Sequence, residues 1–94
     1  MTFSQSPYTK EESETKVDSI YSFFVILHND SINDFGYVED CLMKFCFKTK
    51  KEAKQIAMEA HNNGKAICFN GSSEECETVA EKLTNSNLTV TLGK

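Results

Sequence analysis

Three short segments of this chain are dominated by apolar residues and are separated by longer amphipathic stretches. The first, residues 21–28, contains a continuous β-branched and aromatic run that ends at a polar cluster, which is typical of a buried strand. Residues 65–69 repeat this pattern over a shorter length, and residues 88–92 alternate apolar and polar positions as a half-buried strand does. The pattern therefore predicts three strands, with a turn at Asn70-Gly71 after the second.

The amphipathic stretches predict three helices. Apolar residues recur at helical spacing over residues 34–47, 50–61 and 73–84, so that each stretch presents one apolar stripe. The second and third stretches begin next to a Ser or Thr that is followed three residues later by Glu. This spacing indicates a capping box, in which each side chain bonds the free backbone amide of the other residue. The two boxes are Thr49 with Glu52 and Ser72 with Glu75.

The predicted elements follow one another in the order β-α-α-β-α-β. So short a chain can bury their apolar faces in two layers, which predicts an α+β domain with helices packed on one face of a small three-stranded antiparallel sheet. Residues 1–20 contain the only proline, Pro7, with many Ser, Thr, Glu and Lys residues and no apolar periodicity. We expect them to form a flexible, disordered arm, which leaves residues 21–94 as the folded domain.

The charge of the chain narrows the class of partner. The net charge is −4 and the sequence pI is about 5.1, which disfavours binding to the phosphate backbone of a nucleic acid. The densest basic group comprises Lys48, Lys50, Lys51 and Lys54, and such groups usually form the solvated face of a helix. No segment approaches the roughly 20 apolar residues of a membrane span, so no membrane partner is expected.

The cysteines indicate which cofactors and which cellular compartment are expected. The four cysteines contain no Cys-x-x-Cys pair and share no zinc-ligand spacing with the two histidines, so neither a metal nor another cofactor is predicted. The first stretch lacks the apolar core of a signal peptide. We therefore expect a reducing cytosol and no disulfide framework. We also expect a monomer.

Two polar groups are candidates for a small binding site. Asn29 and Asp30 follow the first strand, and His61 ends the second helix. An amide oxygen, a carboxylate and a neutral imidazole nitrogen all accept hydrogen bonds, whereas a primary ammonium donates three and accepts none. If the three side chains converge, they suit an ammonium ligand. The alternative is that Asn-Asp only forms a turn and that the histidine only complements the helix dipole.

One catalytic arrangement is conceivable from the order of residues, a nucleophilic pair of Cys68 with His61. Such a pair requires an electropositive and partly exposed thiol. Cys68 instead lies in an apolar strand, where a free cysteine behaves as a small hydrophobic residue. We therefore do not expect an enzyme, and a small thiol or metal protein is the minor alternative.

Two motifs resemble those of the ClpS family of N-end-rule, or N-degron, adaptor proteins. Residues 25–30, Val-Ile-Leu-His-Asn-Asp, resemble the family stretch V-I-L-x-N-D. Residues 60–68, Ala-His-Asn-Asn-Gly-Lys-Ala-Ile-Cys, resemble the family stretch V-H-x-x-G-x-A/G-x-C. The interval between the motifs fits without gaps, and the resemblance covers roughly residues 21–92. Either motif alone is weak, but the two at this spacing are specific.

The resemblance implies an adaptor, which is not an enzyme. Such proteins bind the free N-terminus of a protein whose first residue is bulky and apolar or aromatic. They deliver that protein to an AAA+ unfoldase of the ClpA or ClpC kind for degradation. The arm would take part in delivery, and the location would be a bacterial cytoplasm or, as the alternative, a plastid stroma.

The resemblance also implies roles for individual residues. By position, Asn29 and His61 would bond the α-ammonium of the substrate, and Asp30 would act electrostatically or through water. The side-chain pocket would be formed by Leu27, Asn33, Phe35, Val38, Ala57 and Ala60.

Several departures from the family pattern N-D-D-x-T-x-M indicate a divergent member. The usual Asp, Thr, Pro and Met are replaced by Ser31, Asn33, Asp34 and Phe35. Ala57 and Ala60 stand where larger aliphatic residues are common. These departures concern the side-chain pocket more than the ammonium site.

The alternative function is a protein-interaction domain of the same fold that does not recognise N-degrons. The C-terminal domain of the ribosomal stalk protein has the same order of elements, and a modulator of the Clp protease would fit equally. A fold alone does not decide between these functions, because unrelated functions share folds.

Overall fold

The structure is a computed structural model that describes residues 23–94 of the chain. The predicted arm at residues 1–20, and the predicted start of the first strand at residue 21, lie outside the described residues. The elements are β1 Phe23–His28, α1 Phe35–Phe45, α2 Lys50–Asn63, β2 Lys65–Gly71, α3 Ser73–Asn85 and β3 Val90–Gly93. The predicted order and the α+β class are confirmed.

The three strands form one antiparallel sheet in the order β2-β1-β3. Leu27 in the central strand pairs with Ala66 on one side and with Val90 on the other. Alternate residues of β1 point to one face, where Val25 and Leu27 are completely buried beneath the helices. A bulge at Val25/Ile26 shifts the register against β2. The end of β1 is therefore held between both edge strands.

Both predicted capping boxes are present. Thr49 accepts the backbone N–H of Glu52 at 3.2 Å, and Glu52 accepts the backbone N–H of Thr49 at 3.0 Å. The pair formed by Ser72 and Glu75 does the same at 3.1 and 2.9 Å. Each box satisfies two amides that have no partner inside the helix, so these starts are encoded locally.

The predicted turn at Asn70-Gly71 is wrong, because both residues belong to β2. Asn70 pairs with Phe24 and Gly71 pairs with Phe23, so the ladder with β1 extends the strand up to the N-cap of α3. A Cβ at Gly71 would lie 2.6 Å from Oε1 of Glu75, so a larger residue would displace the carboxylate that accepts the backbone N–H of Ser72. The glycine therefore leaves room for this cap and does not form a turn.

The bounds of α1 and β3 also differ from the prediction. Asp34 is the N-cap of α1, and the helix ends at Phe45 because Phe47 takes a left-handed conformation with φ 59°. The backbone N–H of Leu88 donates to the carbonyl of Leu83 at 3.1 Å, which ties it to α3 and delays β3 until Val90.

All four cysteines are buried and free. The Cys46 thiol, together with burial, raises the pKa of Cys68 far above its ordinary value, so this thiol stays protonated. Cys68 is also completely buried, so it is not the electropositive and partly exposed thiol that a Cys-His nucleophile requires. Among residues 23–94, no three His, Cys, Asp or Glu side chains gather into a metal-binding group. No helix in the same range is long and apolar enough to cross a membrane.

Candidate functional site

A cavity of about 380 Å³ opens where the end of β1 meets the start of α1 and the end of α2. All nine residues that the sequence predicts for the binding site line this cavity. The residues that line it are Leu27, His28, Asn29, Asp30, Ser31, Asn33, Asp34, Phe35, Val38, Ala57, Ala60 and His61. The structure thus brings two short stretches of sequence to one place.

Gly64 joins these two stretches. It has φ 92°, a left-handed conformation in which a residue with a Cβ is strained, and its N–H donates to the carbonyl of Ala60 at 2.9 Å. The carbonyl of Gly64 in turn accepts the backbone N–H of Asn29 at 2.8 Å. The last turn of α2, which carries His61, is therefore fixed against the residue that follows β1.

The loop between β1 and α1 is organised by the carboxylate of Asp30. Its Oδ1 accepts the backbone N–H of Ile32 at 2.7 Å and that of Asn33 at 3.4 Å, and its Oδ2 accepts the side-chain amide of Asn33. The hydrogen bond from Ile32, helped by those from Asn33, lowers the pKa of Asp30 although partial burial opposes the shift. The cavity therefore has a carboxylate that remains charged at neutral pH.

The floor of the cavity is apolar. Leu27, Val38, Ala57 and Ala60 are all buried, with exposed fractions between 1 and 8%. The two alanines lie one helical turn apart in α2, where each contributes only a methyl group. A floor with these methyl groups leaves room for a ligand side chain. Larger residues at the two positions would fill that room.

One side of the entrance is formed by two rings. The Phe35 and His61 rings contact each other edge to face, with centroids 5.2 Å apart and planes inclined at 71°. Phe35 is still 41% exposed, so part of its surface is available to a ligand. Edge-to-face contacts between rings are favourable and directional, which fixes the orientation of both side chains.

The charge of the lining is negative. Asp30 and Asp34 are carboxylates, and no Lys or Arg is among the residues that surround the cavity. One Asp34 oxygen accepts the backbone N–H of Tyr37 at 2.8 Å as the cap of α1. Acidic groups at the entrance and methyl groups at the floor suit a ligand with a cationic head and an apolar side chain.

Three lining residues were not among the predicted site residues: His28, Ser31 and Asp34. The signal that could have found them is their position, because they are interspersed with predicted residues along the segment 27–35. His28 also bonds the hydroxyl of Thr91 in β3 through its Nε2, at 2.8 Å. That contact joins residues far apart in sequence and has no local signal.

Comparison with known proteins identifies the family of this chain. Residues 21–91 match the family described as "ATP-dependent Clp protease adaptor protein ClpS". Relatives named ATP-dependent Clp protease adapter protein ClpS include one from Gloeobacter violaceus, 34% identical over 92% of this chain and 94% of that protein. Another, from Vibrio atlanticus, is 32% identical over 79% of this chain and 70% of that protein.

A solved structure shares the fold. It is Agrobacterium tumefaciens ClpS2 bound to L-phenylalaninamide, with a TM-score of 0.70 and 22% identity, covering 76% of this chain and 93% of that one. The fold therefore agrees with the family that the sequence comparisons indicate. This chain belongs to the ClpS family of Clp protease adaptor proteins.

Proposed function

We propose that this protein binds the free N-terminus of proteins that begin with a bulky apolar or aromatic residue. The observation that carries the proposal is the cavity of about 380 Å³, which joins hydrogen-bond acceptors at its entrance to an apolar floor. A protein N-terminus offers the matching pair of groups, an ammonium next to the first side chain. The acidic acceptors disfavour an anion, and the apolar floor disfavours a fully polar ligand.

The ammonium half consists of Asn29, Asp30 and His61. The amide oxygen of Asn29 and a ring nitrogen of neutral His61 accept two of the three ammonium hydrogens. The carboxylate of Asp30 already accepts three hydrogen bonds within its loop, so it contributes mainly through its charge or through a bridging water. An acetylated N-terminus has neither the charge nor the extra donors, and it is therefore a poor ligand.

The side-chain half consists of Leu27, Phe35, Val38, Ala57 and Ala60. The first residue of the substrate buries its apolar surface against the floor, at roughly 25 cal/mol per Å² removed from water. An aromatic first residue also contacts the exposed part of the Phe35 ring. Asn33 also lines the cavity, but its side-chain amide donates hydrogen bonds to Asp30 and to the backbone carbonyl of Asn87.

The comparisons support the same ligand class. ClpS2 from Agrobacterium tumefaciens, which has this fold, is bound to L-phenylalaninamide, a compound with a free amine and a phenyl side chain. The relatives are named as adapters of an ATP-dependent Clp protease. We infer that this chain is likewise an adaptor and not an enzyme, and that it delivers its ligands to an AAA+ unfoldase of the ClpA or ClpC kind. Residues 21–94 form the adaptor domain, and the arm at residues 1–20 takes part in delivery.

The test is a titration with two peptides that differ only at the N-terminus. A labelled peptide with a free N-terminal Phe is expected to bind, and its N-acetylated twin is expected to bind at least tenfold more weakly, because each lost hydrogen bond to a charged group contributes about 1.5–3 kcal/mol. Equal affinity for the two peptides would contradict N-terminus recognition. It would favour the alternative, a domain that modulates the Clp protease without recognising N-degrons.

A further inference from the structure

The side chain of Asn33 connects the candidate site to a distant turn. Its Nδ2 donates one hydrogen bond to Oδ2 of Asp30 and another, of 2.9 Å, to the backbone carbonyl of Asn87. Asn87 follows α3 and lies 54 residues further along the chain. The loop between β1 and α1 is thus joined to the turn between α3 and β3 through one amide group.

The orientation of this amide follows from its partners. A carboxylate oxygen and a carbonyl oxygen only accept hydrogen bonds, and an amide NH₂ has two hydrogens to give. The nitrogen of Asn33 must therefore face both partners, and the amide oxygen must point away from them. Both donors are used, so the side chain is held from two sides.

The turn that receives this bond is itself fixed. Asn87 takes a left-handed conformation with φ 71°, which Asn tolerates better than most residues, and its N–H donates to the carbonyl of Thr84 at 3.0 Å. The hydroxyl of Tyr37 in α1 donates to the carbonyl of Ser86 at 2.6 Å. Two side chains from the start of α1 and the loop before it therefore bond neighbouring carbonyls of one turn.

We propose that Asn33 is a positioning residue for Asp30, anchored on the turn at residues 86–87, rather than a wall of the side-chain pocket. This proposal rests on the proposed function, because the carboxylate that Asn33 holds is part of the ammonium site. Asn33 is uncharged and leaves Asp30 ionised. Because its amide donates a hydrogen bond to the carboxylate, it fixes the position of the negative charge. The turn after α3, with Tyr37 as its second tether, thereby belongs to the binding site although it contacts no ligand.

The test compares how variants affect peptides with different first residues. Affinities are measured for peptides that begin with Phe, Tyr and Leu, on the full chain and on Asn33→Ala and Asn33→Asp. The Asp variant preserves the shape of the side chain, but it cannot donate a hydrogen bond and its carboxylate repels that of Asp30. Both variants are expected to weaken all three peptides by a similar factor of about tenfold, the effect of misplacing one charged partner. The ranking of the peptides stays unchanged.

A double-mutant cycle separates positioning from independent contributions. Once Asp30→Asn has removed the charge, Asn33→Ala is expected to cost less than about twofold, because residues that act through each other are not additive. Nuclear magnetic resonance of the Asp30 carboxyl gives a readout without peptide, and its pKa should rise in Asn33→Ala. Asn70→Ala, an exposed Asn of β2 outside the cavity, is the control and should bind as wild type does.

Each outcome decides between defined alternatives. A changed peptide ranking in Asn33→Asp, or a full tenfold loss in the Asp30→Asn background, would overturn the positioning role and return Asn33 to the pocket wall. An unchanged Asp30 pKa in folded Asn33→Ala would overturn it as well. Wild-type protein that binds none of the peptides would overturn the proposed function, whereas the pKa measurement would still report on the contact itself.

Discussion

The rings of Phe35 and His61 lie edge to face, with their centroids 5.2 Å apart. One residue begins α1 and the other occupies the last turn of α2. Their contact places the imidazole proposed to bind the ammonium next to the ring proposed to meet the first side chain. A ligand that enters the cavity must therefore offer an ammonium to His61 and an apolar side chain to Phe35 at adjacent positions.

The first prediction concerns the proposed ammonium acceptors. We expect Asn29→Ala and His61→Ala each to weaken binding of a free N-terminal Phe peptide by about tenfold or more, because each removes a hydrogen bond to a charged group. Both side chains are exposed, so the fold should survive, as thermal unfolding would show. Wild-type affinity in both variants would place the ammonium elsewhere.

The second prediction concerns pH. His61 must be neutral to accept a hydrogen bond, and histidine side chains in general protonate near pH 6.5. Peptide binding should thus be weaker at pH 5.5 than at pH 7.5. Asp30 should not contribute to this change, because its pKa is lowered and it stays ionised throughout that interval. Titrations at the two pH values measure the effect.

The pH effect should be largely absent in His61→Ala. An effect of the same size in that variant would contradict the assignment. It would direct attention to His28, the other histidine that lines the cavity, and a His28→Gln variant would then be measured under the same conditions.

The third prediction concerns the preferred first residue. Phe35 is rigid and flat, and the small side chains of Ala57 and Ala60 leave space in the cavity. An aromatic first residue of the peptide should therefore fit best. A ring–ring contact adds about 0.5–1.5 kcal/mol beyond the burial of area. We expect peptides that begin with Phe, Tyr or Trp to bind better than those that begin with Leu. Peptides that begin with Ile or Val, which branch next to the backbone, should bind poorly.

A panel of peptides that differ only at the first residue tests this order against wild type and Phe35→Met. Methionine is flexible and adapts its shape, so the variant should accept Leu more readily. A leucine preference in wild type, or the same order in both proteins, would show that Phe35 does not select the ligand.

The fourth prediction concerns residues 1–17. Their composition offers no apolar stripe with which to build a pocket, but a segment of this length can reach a neighbouring protein. Removing them should leave peptide affinity nearly unchanged and abolish delivery to the unfoldase. Degradation of a model substrate by the reconstituted protease measures delivery, and full activity with the truncated adaptor would exclude a role for this segment.

The fifth prediction concerns Gly64. A residue with a Cβ is strained at φ 92°, although nothing lies within 4 Å of the position where that Cβ would be. We expect Gly64→Ala to lower the free energy of unfolding by about 1–2 kcal/mol through backbone strain alone. Gly36→Ala is the matched control, because its Cβ would meet Oδ1 of Asp34 at an ordinary 3.6 Å within a helix. Equal stability of the two variants in a denaturant titration would contradict the strain.

Much of the fold was readable from short stretches of the chain. The run before Asn29 predicts β1, and the pairs Thr49 with Glu52 and Ser72 with Glu75 mark the starts of α2 and α3. These signals operate over a few residues, because side-chain periodicity and end capping depend only on neighbours in sequence. The nine candidate site residues were named from two short segments, 27–38 and 57–61, and the structure shows that they line one cavity. Their roles in binding stay predictions.

Only the tertiary structure determined the contacts between residues that are far apart in the sequence. Asn70 and Gly71 have the composition of a turn, but pairing with β1 makes them strand. Asn33 resembles a pocket residue in sequence, and its bond to the carbonyl of Asn87 appears only when α3 has packed against the sheet. The energy of such contacts depends on which elements become neighbours, and no local pattern near either residue specifies a partner 54 positions away.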